Sequence, residues 1–155
     1  MRILFLTLYL LAVSTAGCEP ADRVIHVHES DAEMNAAIAK ARSTLPSFWA
    51  LFARPQKGES DFALKVKITD SHGVEHFWCT DLQNDGIRIS GVVNNDPNLV
   101  TSVKLGQRIE IKPDDISDWL YMRGGKMYGN FTVRPLFKSM KPEELAQLKA
   151  LLAEP

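Results

Sequence analysis

The stretch Phe62-Ala63-Leu64-Lys65-Val66-Lys67-Ile68-Thr69-Asp70-Ser71-His72-Gly73-Val74-Glu75-His76-Phe77-Trp78-Cys79-Thr80 decides the fold. Phe62, Leu64, Val66 and Ile68 alternate with Ala63, Lys65, Lys67 and Thr69, the period-two pattern of a strand. Asp70-Ser71-His72-Gly73 supplies turn residues, and Val74 to Thr80 returns as a second strand. A loop of two or four residues places Leu64, Val66 and Ile68 on one face with Glu75, Phe77 and Cys79. Lys65 and Lys67 then share the other face with His76 and Trp78. A three-residue loop would reverse this, since a one-residue slip flips every side chain.

Further strands follow from the same signals. Ile87 to Val93 reads as a third strand, ended by Asn94-Asn95-Asp96-Pro97. Leu99 to Leu105 is a helical or irregular connector, and Arg108 to Lys112 is a short strand. Pro113-Asp114-Asp115 turns the chain. Gly124-Gly125 joins strands Asp118 to Arg123 and Lys126 to Arg134, with Tyr121 opposite Tyr128 and Met122 opposite Met127.

Helices bracket these strands. Ser30-Asp31-Ala32-Glu33 reads as a capping box, with Met34, Ile38, Ala41 and Leu45 at helical spacing behind it. Pro46 disfavours helix at Leu45, so Ser47 to Phe52 is expected as a second short helix. Pro142, Glu143 and Glu144 open a last helix with Leu145, Leu148 and Leu152 as its buried stripe. The expected fold is α+β, a mainly antiparallel sheet flanked by an N-terminal and a C-terminal helix, in one domain spanning residues 30–155.

Composition narrows the function classes. The chain has 155 residues, 18 Lys+Arg against 19 Asp+Glu, a net charge of −1, and 45% apolar residues. These values suit a globular domain and argue against collagen-like, coiled-coil or disordered chains. They also argue against nucleic acid as a partner, because no basic excess exists to neutralise phosphates.

Residues 1–17, MRILFLTLYLLAVSTAG, read as a signal peptide: one charge at Arg2, an apolar run from Ile3 to Val13, then small residues. The run is shorter than a bilayer span needs. Ser14-Thr15-Ala16 suits a general signal peptidase. Thr15-Ala16-Gly17-Cys18 resembles a bacterial lipobox, in which the Cys is acylated and becomes the new N-terminus; Thr15 departs from the commoner Leu. The lipobox is the preferred reading. It makes Cys18 the lipid attachment, residues 18–29 a tether, and the membrane a partner through lipid alone. Glu19 after the Cys, by resemblance to enterobacterial lipoproteins, implies the outer membrane, facing the periplasm. If Cys18 is not acylated, the protein is expected free in the periplasm, with a Cys18–Cys79 bridge as the one disulfide option. Removing residues 1–17 leaves 155 − 17 = 138 residues and a charge of 17 − 19 = −2.

Chemistry-bearing residues are few. His76 and Cys79 have H-x-x-C spacing, but strand residues three apart point to opposite faces, so they do not share a metal. His26 and His28 share a face in the tether, without acidic or thiolate partners near them. Glu75, His76, Asp114, Asp115 and Asp118 could act as acids or bases, and Ser90, Ser102 or Ser117 as nucleophiles, yet no nucleophile elbow, phosphate loop or H-E-x-x-H occurs. The aromatic residues carry more. Trp78 with His76, and Trp119 with Tyr121, lie two apart on strands. On one sheet face they would form an amphipathic patch suited to a protein, peptide or glycan, unless the tryptophans are core.

Five segments in order resemble a known family: Phe62 to Asp70, Gly73 to Trp78, Gly91 to Pro97, Asp115 to Tyr121, and Gly125 to Arg134. Together they are similar to the bacterial YegJ-like family defined by the DUF2314 domain, over roughly Met34 to Leu152. The resemblance implies the domain boundaries and an exported or lipoprotein context for some members. It implies no catalytic residues. A weaker likeness to small immunity proteins rests on the Gly/Asn/Pro segment, the basic glycine turn and the Asp-Trp strand.

The expectation is a non-enzymatic envelope lipoprotein, without cofactor or metal, binding a protein or envelope ligand through His76, Trp78, Asp118, Trp119 and Tyr121. The alternatives are a small periplasmic hydrolase using His76 as base, oriented by Glu75 or Asp118, and an immunity-type toxin-binding protein.

Overall fold

The computed structural model describes residues 31–154. The segment read as a signal peptide, Cys18, the segment read as a tether with His26 and His28, and Ser30 lie outside the described residues. Helix α1 (Ala32–Ala53) precedes strands β1 (Glu59–Asp70), β2 (Gly73–Asn84), β3 (Ile89–Val93), β4 (Arg108–Ile111), β5 (Ile116–Arg123) and β6 (Lys126–Gly129). A 3₁₀ segment (Phe131–Ser139) and helix α2 (Pro142–Leu151) follow. The six strands form one antiparallel sheet in the order β4-β3-β2-β1-β5-β6, so the fold is α+β.

The β1–β2 hairpin has the two-residue parity. Asp70 pairs with Gly73, Lys67 with His76, Lys65 with Trp78 and Leu64 with Cys79. Leu64, Val66, Phe77 and Cys79 are buried with Val93, Ile111, Ile116 and Phe48. Helix α1 seals this face, with Phe48 wholly inaccessible. The glycine hairpin also pairs as read, Tyr121 with Tyr128 and Met122 with Met127.

Four local expectations are corrected. Helix α1 is capped by Asp31, whose carboxylate accepts from the N–H groups of Glu33 and Met34 at 2.9 and 3.1 Å. It runs unbroken through Pro46. An internal proline costs a helix about 3 kcal/mol, but Ala41 before it and Phe48 after it both enter the core. Trp119 Nε1 also donates to the Ala41 carbonyl at 3.0 Å, one turn ahead of the proline. The last hairpin strand stops at Gly129, not Arg134, because Gly129 and Asn130 adopt φ of 79° and 47° and turn the chain into the 3₁₀ segment. Leu145, Leu148 and Leu152 are half-buried rather than buried, since α2 lies at the β6 edge, where Leu152 bridges Met127.

Candidate functional site

The two sheet faces separate the aromatic residues that the sequence grouped. Trp119 pairs with Leu64 and therefore points to the core, as does Tyr121 two residues on. They are 7% and 4% exposed. Their rings stack at 6.1 Å, and the stack continues from Tyr121 to Phe62 at 5.4 Å and to Tyr128 at 5.1 Å. Trp119 also meets Phe48 at 5.4 Å. Trp119 and Tyr121 are thus framework, and their place in a binding face with His76 and Trp78 is corrected. Alternation forces this: a strand cannot show Asp118 and Trp119 to the same side.

The face opposite the core carries Lys65, Lys67, His76, Trp78 and Asp118. Lys65 Nζ lies 5.5 Å from the Trp78 ring centre, a cation–π contact. A register shift between Lys65 and Val66 marks a bulge in the β1–β5 pairing at Ser117. A bulge re-aims side chains, and Ser117 Oγ reaches His76 Nδ1 at 2.8 Å. The same Oγ donates to the Lys65 carbonyl at 3.1 Å. A hydroxyl has one proton to give. His76 Nδ1–H must therefore be the donor to Ser117, which leaves Nε2 unprotonated. No buried side-chain nitrogen or oxygen among the described residues lacks a partner. Nε2 makes no hydrogen bond within them, so it faces solvent.

Burial, then the positive charges of Lys65, Lys67 and Arg42, hold His76 down to about 4. The imidazole is neutral at pH 7 and a weak base. Arg42 reaches this end of the sheet from α1, its Nε and Nη2 donating to the Ile116 and Asp114 carbonyls.

Neither carboxylate expected to orient His76 does so. Glu75 lies on the core face, 8% exposed. Its oxygens accept the backbone N–H groups of Asn98, Leu99 and Val100 at 2.9–3.2 Å. Burial raises its pKa, but these bonds outweigh burial and hold it below the ordinary value. It fastens the β3–β4 connector. Asp118 is fully buried and accepts from Thr132 N and Oγ1, both at 2.7 Å, and from Trp119 N at 2.8 Å. Burial dominates there and pushes its carboxyl up despite those bonds. Asp118 anchors the start of the 3₁₀ segment and is not open to a partner. Cys79 is a free thiol at 0% exposure, and burial pushes it up to about 11. It lies on the face opposite His76, so the pair shares no metal.

Of the five residues read as a binding patch, His76 and Trp78 stand together, half-buried, on the outer face. Ser117, Thr132 and Arg42 were not assigned to it. Ser117 was legible only as a hydroxyl; its contact with His76 spans 41 residues and depends on the bulge. Thr132 closes the side of the face, where Lys65 Nζ donates to its Oγ1 at 3.3 Å. Among the described residues, no helix is long and apolar enough to cross a membrane.

Comparison with known proteins follows the same boundaries. Residues 31–152 match the family described as uncharacterised proteins conserved in bacteria, DUF2314. The chain is 39% identical over 153 residues to the uncharacterised protein YegJ of Escherichia coli K12, covering 98% of this chain and 99% of that one. It is 36% identical over 130 residues to a Neisseria meningitidis serogroup B protein named "Putative ankyrin repeat protein", covering 78% of this chain and 51% of that one. No solved structure matches. A profile match across most of the chain and a near full-length relative make the conclusion direct: the chain belongs to the DUF2314 family of bacterial proteins.

Proposed function

We propose that this protein is an exported lipoprotein whose folded domain is a non-enzymatic binding module, contacting a protein or envelope ligand through the Lys67–His76–Trp78 face. Acylated Cys18 holds it at the outer membrane on the periplasmic side, and residues 19–29 give the domain reach. The observation that carries the reading is the division of labour among the polar residues. Glu75 and Asp118 are committed to backbone donors. His76 is itself half-buried and held neutral beside cations, next to a half-buried tryptophan. Catalytic bases are usually paired with a carboxylate and tuned toward the working pH. His76 has neither feature, and Ser117, 2% exposed, spends its proton on a carbonyl. A ring, an acceptor and the exposed Lys67 suit recognition instead.

The test is a photo-crosslinking residue placed at Thr69, exposed beside Lys67 on the same strand, in the full chain, produced in a bacterium that carries the gene. Specific adducts that vanish when Trp78→Ala is added support the reading. Adducts identical to those from the same residue at the exposed Lys57 would remove it. Palmitate labelling with a Cys18→Ala control checks the anchor; label retained in that variant would overturn the lipid attachment.

A further inference from the structure

We infer that the occupant of the His76–Trp78 face is an acidic polypeptide segment, one of whose carboxylates meets Lys67 while one of its N–H groups meets His76 Nε2. The inference rests on the binding reading above and names the chemistry of the partner.

Charge supplies the first argument. The chain as a whole is slightly acidic, at −1. This corner is not. Among the described residues, the charges acting on His76 are Lys65, Lys67 and Arg42, all positive. The carboxylate on the same face, Asp118, is inaccessible and turned onto Thr132. Lys67 is exposed on the strand pair that carries His76. A partner approaching here meets a local field opposite in sign to the molecule's average, and complementary charge selects an acidic partner.

The imidazole supplies the second. Because Ser117 Oγ gives its proton to the Lys65 carbonyl, His76 Nε2 presents a lone pair. A bare anion offers that atom no hydrogen-bond donor. A polypeptide offers carboxylates and amide N–H groups within a few ångströms of each other, so it satisfies Lys67 and the imidazole together. Trp78, with Lys65 against its ring, adds flat apolar area beside the polar contacts. This mixture favours a peptide segment over inorganic phosphate or a lipid headgroup.

The experiment uses the full chain, purified in detergent, with fluorescently labelled poly-L-glutamate read by anisotropy. Wild type should bind, with affinity falling as salt rises. Lys67→Gln should weaken binding about tenfold, since it removes a charge at the contact without touching the core. Lys57→Gln with Lys104→Gln, equally exposed but elsewhere, should leave binding within about twofold. His76→Asn should weaken binding further, as it replaces the Nε2 acceptor. No binding by wild type, or equal loss in the Lys67 and the Lys57/Lys104 variants, overturns the inference. Competition by millimolar inorganic phosphate as effective as by unlabelled poly-L-glutamate overturns it too, because a bare anion would then suffice. Lys67 is a solvent-facing side chain, and circular dichroism verifies that the variant is folded. If poly-L-glutamate fails while the Trp78-dependent crosslink persists, the face still binds a partner and only the acidic chemistry is wrong.

Discussion

Lowering the pH should destabilise this protein through His76, and the size of the effect can be worked out. Folding holds the imidazole at about 4 against an ordinary value of 6.5. The unfolded chain therefore takes up a proton as pH drops through 6.5, whereas the native protein does not until about 4. Stability associated with the neutral ring is fully present above 6.5, falls between those values, and levels off below. At about 1.4 kcal/mol per pH unit, the gap sets a ceiling of about 3 kcal/mol. At pH 4.5 most of it, about 2.5 kcal/mol relative to pH 7.5, should already be lost. That is a large part of the stability of an ordinary domain. Other groups titrate nearby with different signs. Asp70 is lowered to about 2, mainly by the His72 backbone N–H, and Glu75 is lowered by its three backbone donors against burial. Both lose their contribution at more acid pH. Asp118, raised by burial, works the other way. The informative quantity is therefore the difference between wild type and His76→Asn, whose amide can still donate to Ser117 but does not titrate. Urea unfolding followed by far-ultraviolet circular dichroism at pH 7.5, 6.0 and 4.5 measures it. Wild type should lose about 2.5 kcal/mol more than the variant across that span. Equal losses would refute the argument that burial among cations keeps the ring neutral.

Two further substitutions test the framework behind the site. Gly129, at φ 79°, lies against Trp119, and a Cβ there would stand 2.5 Å from Trp119 Cε3. Gly129→Ala should cost about 3 kcal/mol or more, whereas Gly124→Ala, at positive φ in open space, should cost about 1 kcal/mol by the same denaturation assay. Asp118→Ala should cost about 3 kcal/mol by stranding the Thr132 and Trp119 N–H groups, and Asp118→Asn less, because an amide oxygen still accepts. An Asp118→Ala variant that melts together with wild type would show that the carboxylate does not anchor the 3₁₀ segment.

These residues differ in how far they could be read in advance. The strands of the hairpin from Phe62 to Thr80 were legible from their alternation, and so was the parity of their faces for an even-length loop; the structure fixed the register, with a two-residue turn between Asp70 and Gly73. The Gly124-Gly125 hairpin was legible from its two-residue turn. Pro46 misled, because a local penalty is outweighed when both flanking turns bury aromatic and apolar side chains. The end of β6 misled too: the residues beyond Gly129 have strand-like composition, but the left-handed Asn130 and the bond from Thr132 to Asp118 redirect them.

By itself, the sequence determined the α+β order and, for an even-length turn, the paired faces of the central hairpin and the company of Lys65 and Lys67 with His76 and Trp78. These follow from periodicity and turn chemistry, which act over a few residues. Only the tertiary structure decided which tryptophan is core and which lines the outer face, because that depends on how β5 registers against β1. It also decided that His76 answers to Ser117 and three cations rather than to a carboxylate. Those partners lie as far as 41 residues away in the chain, and a bulge brings them together. The pairing of local strands is written in spacing; the chemistry of a site that joins β1, β2, β5 and α1 is written in their assembly.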